Sequence, residues 1–358
     1  MEPVTHFLTG ACLGRAGFNR KSRYATFAAV LAAEAADIDI LWGFAGPVEE
    51  LKHHRGITHT FIAVPFVAAA ALGVVALWHL WRGRRTSNAQ PVRWLWVYAA
   101  AFVSALSHIL LDWTNNYGVR PFFPFNPRWY AGSFVFIAEP VLWALLFAAV
   151  IMPWLLGLTD REIGARRPAF RGRGWAIFAL AGMVSLWTWR WVEHVRALEL
   201  LQATQITSVP ALRAEAEPYP FNPFRWHALL ETPGYFQTAE IDTHTGQIDS
   251  DPRTDVLYKP VQTSAVQAAK QTPLGQVYLD WGTWAVVHDL GQDAVPGLDP
   301  PNLPKGRTWT TVQFSDLRFD YNFLGSGRPA GRSPLSGYVY IVDGSEDAGE
   351  ILNGRTQK

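Results

Sequence analysis

Cysteine is almost missing from this chain of 358 residues: Cys12 stands alone. A single cysteine forms no internal disulfide and builds no cysteine-based zinc motif. Charge is sparse, with Asp, Glu, Lys and Arg at 17% and a formal net charge of +1. Bulk electrostatics therefore gives no reason to expect a nucleic-acid partner. Nucleotide-binding and serine-hydrolase signatures are lacking too. There is no Walker motif, no GxGxxG in a strand–turn–helix setting and no GxSxG. No internal repeat or low-complexity stretch is visible. The start, MEPVTHFLTGACLG, has an acid where a secretory leader has basic residues, and His6 interrupts its apolar stretch. That predicts no cleavable signal peptide.

What is plentiful is tryptophan, 17 residues, together with long apolar runs. The runs are unevenly placed. Residues 1–195 are rich in Ala, Leu and Trp, whereas residues 196–358 are polar and rich in Pro, Gly, Asp and Thr. The mean hydropathy of +0.03 averages these unlike halves. We read an α-helical integral membrane domain over 1–195, carrying a candidate metal site. A small, β-rich α+β soluble domain follows over 196–358.

A membrane-crossing helix needs about 20 apolar residues. Ile57–Trp81, Arg93–Trp113, Ser133–Gly157 and Gly174–Glu193 qualify. Tyr24–Phe44 has the length but contains Glu34, Asp37 and Asp39, and it makes a fifth span. Val4–Gly14 is too short to cross and reads as a half-helix buried against the others. Basic residues orient the set. Thirteen lie on one side: Arg15, Arg20, Lys21 and Arg23; Arg82, Arg84, Arg85 and Arg93; Arg161, Arg166, Arg167, Arg171 and Arg173. Only Lys52, Arg55, Arg120 and Arg128 lie on the other. The basic side is then cytoplasmic, which puts residues 196–358 outside the cytoplasm of a bacterial inner membrane.

In the polar half, residues 196–215 read as a helix continuing the last span, and PYPFNPFRWHALLET as a loop. YFQTAEID, TDVLYKP, WAVVHDL, TWTTVQFSDLRFDYNF and SGYVYIVDG read as strands, and residues 263–281 as helical.

Acids and histidines at the ends of apolar segments are costly and mark function. His108 and Asp112 are four apart on one helix and share a face. They can bind one ion, or the acid can orient the imidazole; a plain interhelical hydrogen-bonding pair is the bland alternative. Asp37 and Asp39 would point about 200° apart on a continuous α-helix, so they converge only if the helix breaks there. Otherwise they are acids solvated at a membrane exit. Glu34, one turn before Asp37, is a candidate for neighbouring support or proton transfer. HHRGITHT offers His54 and His59 around Arg55, with Gly56 permitting a tight turn. His53 reads as solvated, and His79 as interfacial on the cytoplasmic side. His6 is expected at mid-depth, pointing toward the rest. His194, His227, His244 and His288 are isolated and carry no site. Glu139 is expected two turns inside the outer end of its span. The metal candidates are thus His6, Asp37, Asp39, His54, His59, His108 and Asp112.

These segments together resemble the YdjM-like family of inner-membrane proteins, regarded as metal-dependent hydrolases. The resemblance covers residues 1–230 or so. It rests on THFLTGACLG, on DID at Asp37 and Asp39, on HRGITHT, on HILLDWTNNYGVRPFFPF with Tyr117 and Gly118, and on NPFRW at Asn222–Trp226. The chain departs from the family where Ala36 replaces a proline and where Ser133 stands near a usual acid; Glu139 fills the following acidic position.

The expectation is a membrane-bound hydrolase using one or two divalent ions, zinc foremost. A phosphoesterase acting on a membrane lipid or lipid-linked substrate at the outer face fits best. Such an ion acidifies water and polarises a phosphoryl oxygen. Arg55 and Arg120 are placed to hold phosphate oxygens, and Glu34 or Glu139 to carry the proton. The contrasting expectation is a scaffold or sensor with a structural metal or polar helix-packing network. An ion transporter fits less well, because the acids gather on one side.

Overall fold

Alanine and glycine decide how the N-terminal helices pack. In the computed structural model, which describes residues 1–82, 90–162, 172–294, 306–321, 335–342 and 346–357, eight α-helices precede the first strand. Helix α1 is Pro3–Leu13, started by proline at its first position and by the Glu2 carboxylate, which accepts from the Thr5 amide at 3.1 Å. A π-helical turn, Gly14–Phe18, and the single turn α2, Asn19–Lys21, lead to α3, Ala25–Glu34. Ala25, Ala28, Ala29, Ala32 and Ala33 are all buried. Their small side chains admit α1 at close range. A Cβ on Gly10 would stand 2.8 Å from Ala33 Cβ, 2.9 Å from Ala29 O and 3.1 Å from Ser104 Oγ. Small residues of this kind are how helices approach without a hydrophobic driving force.

The expected span Tyr24–Phe44 is not one α-helix. It turns from α3 into a 3-10 helix, Ala35–Phe44, although no proline interrupts it. Aspartates that compete for backbone hydrogen bonds favour such a change. Then come α4, Pro47–His53; a 3-10 turn, Ile57–His59; α5, Val64–Arg82; and α6, Trp94–Thr114. Residues 57–63, expected to open a span, form turns instead. Helix α7, Pro140–Glu162, starts seven residues later than expected from Ser133. Proline at its first position and Glu139, whose carboxylate accepts from the Val141 amide at 3.4 Å, set that start. Helix α8 is Arg173–Ala203. Among the described residues, three helices are long and apolar enough to cross a membrane: Val64–Arg82, Trp94–Thr114 and Pro140–Leu158. Arg84, Arg85, Arg166, Arg167 and Arg171 of the charge argument lie outside the described residues.

The remaining chain is β-rich, with two antiparallel sheets. β1 (Arg213–Pro218), β2 (Arg225–Glu231), β3 (Tyr235–Asp242) and β4 (Gln247–Asp249) follow in that order, with β5 (Val256–Tyr258) on β3. Helices α9 (Ser264–Gln271) and α10 (Pro273–Trp281) are each capped by a threonine, Thr263 and Thr272. The second sheet runs β10-β9-β8-β7-β6, from β6 (Ala285–Gln292), β7 (Trp309–Asp316), β8 (Gly337–Val342), β9 (Glu346–Leu352) and β10 (Arg355–Thr356). Val312 faces Val339 across β7 and β8. Leu229, Phe236, Trp284, Val286 and Leu317 form one core cluster. Two expectations are corrected here. The helix expected through 215 ends at Ala203, and Arg213–Pro218 is a strand. The expected loop PYPFNPFRWHALLET contains β2. Asn322 and Phe323 of one expected strand, and Asp343 and Gly344 of another, lie outside the described residues.

The chain divides into two compact units. The first holds Met1–Ile38, Arg55–Ala197 and Pro218–Trp226; the second holds Asp39–His54, Leu198–Glu217 and His227–Lys358.

Candidate metal centre

Four side chains of the first unit aim acceptor atoms at one small volume. Asp37 comes from the 3-10 helix after α3, His59 from the turn before α5, and His108 and Asp112 from one face of α6. His59 Nε2 and His108 Nε2 are 3.0 Å apart. Asp37 Oδ1 lies 3.3 Å from His59 Nε2 and 3.5 Å from His108 Nε2. Asp112 Oδ2 lies 3.4 Å from His59 Nε2 and 3.3 Å from His108 Nε2. For tetrahedral nitrogen and oxygen donors bonded at about 2.0–2.1 Å, donor–donor edges come to about 3.3–3.4 Å. The five observed spacings, 3.0–3.5 Å, lie close to that edge length.

Protonation supports the same reading. His108 Nδ1 donates to the Ala33 carbonyl at 2.5 Å. Its proton is held there, so Nε2 presents a lone pair to the cluster. Asp112 Oδ2 is buried without a hydrogen-bond partner. Asp112 Oδ1 already faces the Arg55 guanidinium, while Oδ2, Asp37 Oδ1 and the imidazole lone pair crowd a place where a cation would be favoured. The residues present therefore fit a divalent ion, and two overlapping triads satisfy the geometry: Asp37, His59 and His108; and His6, His108 and Asp112.

His6, on α1, stacks on the His108 ring with centroids 3.7 Å apart. Its Nε2 is 3.4 Å from Asp112 Oδ1, and both its ring nitrogens are buried without hydrogen-bond partners. Arg55 holds the same Asp112 oxygen at 2.8 Å and donates to the Gly118 carbonyl at 2.7 Å. Its guanidinium lies 4.6 Å from the Tyr117 ring centroid. Arg55 takes a left-handed backbone, φ 51°, which turns it into the site. The Met1 amino group also contacts Asp112 Oδ1.

The other sequence candidates are placed differently. Asp39 and His54 belong to the second unit, where His54 Nδ1 is 3.3 Å from Asp39 Oδ1. Glu34 ends α3, and its Oε1 is buried without a hydrogen-bond partner. Arg120 is buried over the Trp129 ring, 4.5 Å from its centroid. Glu139 lies before α7 rather than inside it. Arg190 donates to its Oε2 at 2.7 Å and the Phe221 amide to its Oε1 at 3.3 Å. Arg190 also donates to the Tyr219 and Asn222 carbonyls, at 2.9 and 3.2 Å. Sequence reasoning passes over Arg190, yet the signal was there: a lone guanidinium within an apolar segment needs a partner.

Comparison with known proteins agrees with the membrane and motif pattern. Over 166 residues the chain is 26% identical to the uncharacterized protein YfhP of Bacillus subtilis (strain 168), covering 44% of this chain. The chain spans 47% of that relative's length. No solved structure matches. The model of the YdjM inner membrane protein family matches residues 1–197, more than half of the chain and all of the converging side chains. The chain belongs to the YdjM inner membrane protein family.

Proposed function

We propose that the chain is a membrane-bound, metal-dependent hydrolase, a phosphoesterase acting on a lipid or lipid-linked substrate at the outer face of the inner membrane. The observation that carries the reading is the four-donor set of Asp37, His59, His108 and Asp112, with five donor–donor distances of 3.0–3.5 Å.

Bound there, a divalent ion, zinc by its His/Asp ligands, would acidify water and polarise a phosphoryl oxygen. The protein's own groups do the rest. Ala33 keeps the His108 tautomer, and Arg55 fixes Asp112 by its other oxygen. With that oxygen already facing a guanidinium, one ion suits the cluster better than two. Asp37 is the donor with an exposed edge, its side chain 23% accessible against 0% for His59, His108 and Asp112, so substrate enters on its side. Glu34 receives the proton. Helix α3 with its 3-10 extension, and the helix α8, complete five crossings, and residues 196–358 lie outside the cytoplasm.

A structural metal is the second reading, because four donors suffice to close a tetrahedron. Metal analysis of the purified chain, followed by phospholipid and polyprenyl-phosphate turnover by wild type and Asp112→Asn, separates the readings. Stoichiometric metal with turnover lost in the variant supports the enzyme. Metal retention with equal rates in both proteins overturns it and leaves the structural role.

A further inference from the structure

Residues 113–138 contain two arginines, Arg120 and Arg128, and no lysine or acid. Within them, residues 119–130 fold into a loop closed by its own backbone. Val119 and Tyr130 exchange both amide–carbonyl bonds, at 2.9 and 2.8 Å. Inside, the Phe123 amide donates to the Arg120 carbonyl at 3.2 Å and the Asn126 amide to the Phe122 carbonyl at 3.0 Å. A loop that spends its backbone bonds on itself is free to turn side chains outward. Here it turns apolar ones outward: Phe125 is 82% exposed and Phe122 47%. Rings left in water forgo the gain of burial, so a cluster of them marks a contact surface.

The loop is fastened beside the start of α5, within the first unit. The Pro121 carbonyl accepts from the Phe61 amide at 3.0 Å, and the Phe61 and Phe122 rings meet edge to face with centroids 5.5 Å apart. Phe61 lies two residues after His59 and three before Val64, where α5 begins. The Gly118 carbonyl, one residue before the loop, accepts from Arg55 at 2.7 Å. Helix α5 is long and apolar enough to cross a membrane, and the exposed Ile62 and Phe66 carry the apolar surface from the loop onto it. The exposed rings therefore stand where an apolar span ends, the depth at which aromatic side chains gather in membrane proteins.

At that depth charge selects the lipid. Arg128 is exposed, with its guanidinium 5.6 Å from the Tyr130 ring centroid, and its amide donates to Asn126 Oδ1 at 3.0 Å. Among the described residues it pairs with no carboxylate. Arg120, over the Phe123 and Trp129 rings, adds a second positive charge. A zwitterionic headgroup brings an ammonium, for which the loop offers no acid. An anionic headgroup brings negative charge alone. We propose that loop 119–130 is a docking surface for an anionic phospholipid, with Phe122 and Phe125 among its acyl chains and Arg128 at its headgroup. The docking stands without the hydrolase reading. Where that reading holds, the loop names the substrate class, because it gathers anionic phospholipid beside the turn that carries His59.

The test uses the full chain in lipid nanodiscs. Cys12 is buried, so a thiol introduced by Phe125→Cys is the one that a maleimide fluorophore reaches, and the apolar dye takes the place of the ring. The nanodiscs are phosphatidylcholine with a minor fraction of brominated phosphatidylglycerol or, in a parallel set, brominated phosphatidylcholine. Bromine quenches the dye on contact. Quenching should report a preference of about fivefold for phosphatidylglycerol, the effect of one basic side chain beside an anionic surface. Arg128→Gln should remove the preference and Arg128→Lys should keep most of it. Little quenching by either lipid overturns the docking surface. Equal quenching by the two lipids with Arg128 in place overturns the anionic choice, and a preference that survives Arg128→Gln overturns the role of Arg128. The readout needs neither turnover nor metal, so it decides the surface separately from the hydrolase.

Discussion

The Nδ1 nitrogen of His108 lies 2.5 Å from the carbonyl oxygen of Ala33, one helix away. Ala33 is in the last turn of α3, just before the 3-10 helix begins. The bond fixes an imidazole tautomer. It joins the packing of α3 on α6 to the availability of a ligand.

Loss of a donor should remove the ion outright. We expect His59→Ala or Asp112→Asn to lower bound metal from near one equivalent to near zero, and hydrolysis with it. Both proteins should still insert, since neither change shortens an apolar span. His79→Ala serves as the control, because His79 packs between the Tyr24 and Trp94 rings, 5.7 Å from each. Elemental analysis of the purified proteins checks this, and full metal content in Asp112→Asn would contradict it.

Glu139 and Arg190 should matter for stability rather than metal binding. Both are buried, and removing one leaves an uncompensated charge, at a cost of about 3–5 kcal/mol. Glu139→Ala should therefore melt well below wild type. Glu139→Leu combined with Arg190→Met should recover much of the loss, because no lone charge remains. Thermal melting of the detergent-solubilised chain reads this out. Equal melting of Glu139→Ala and wild type would show that the pair is idle.

The second unit should lose stability as pH rises through the titration of Glu350. Burial pushes its carboxyl above the usual value of 4.5, and the nearby Asp347 adds to the shift. Hydrogen bonds from the Leu274 amide and Thr272 oppose it. The folded state then binds more protons than the unfolded state between 4.5 and the raised value. Stability is fullest below that window and declines across it. Glu350→Gln should flatten this part of the profile while keeping an acceptor for the Leu274 amide, now 2.8 Å away. Melting temperature against pH for the two proteins is the measurement, and parallel slopes would refute the assignment.

Orientation has its own test. A reporter joined after Lys358 should be active outside the cytoplasm if the thirteen basic residues mark the inner side. Strong cytoplasmic activity would reverse the topology, and with it the face from which substrate arrives.

Local spacing made part of the centre legible in the sequence. His108 and Asp112 are four residues apart, and the helix carries both to one point, with Nε2 and Oδ2 3.3 Å apart. The two aspartates of DID were harder. The α-to-3-10 change at Ala35 sends Asp37 to the cluster, while Asp39 pairs with His54. The aspartates favour such a change, but with no proline there the sequence does not say where it falls. RAEAEP and RWHALLE are composed of good helix formers, yet they are β1 and β2. Pairing with the neighbouring strands and burial in the sheet override such local preference. Glu139 was visible as a buried acid, but its use was not, because its partner Arg190 lies 51 residues further on.

Gly10 stands one helical turn from His6 on the same face of α1, and its missing side chain is what lets that helix touch Ala29 and Ala33. The glycine thus works as a spacer of zero thickness. Any side chain there would lift α1 away from α3, and the His6 ring would be carried off its stack with His108. A position with no chemical group of its own therefore regulates the depth to which an imidazole is inserted, and a single methyl group is the finest unit in which that depth can be tuned.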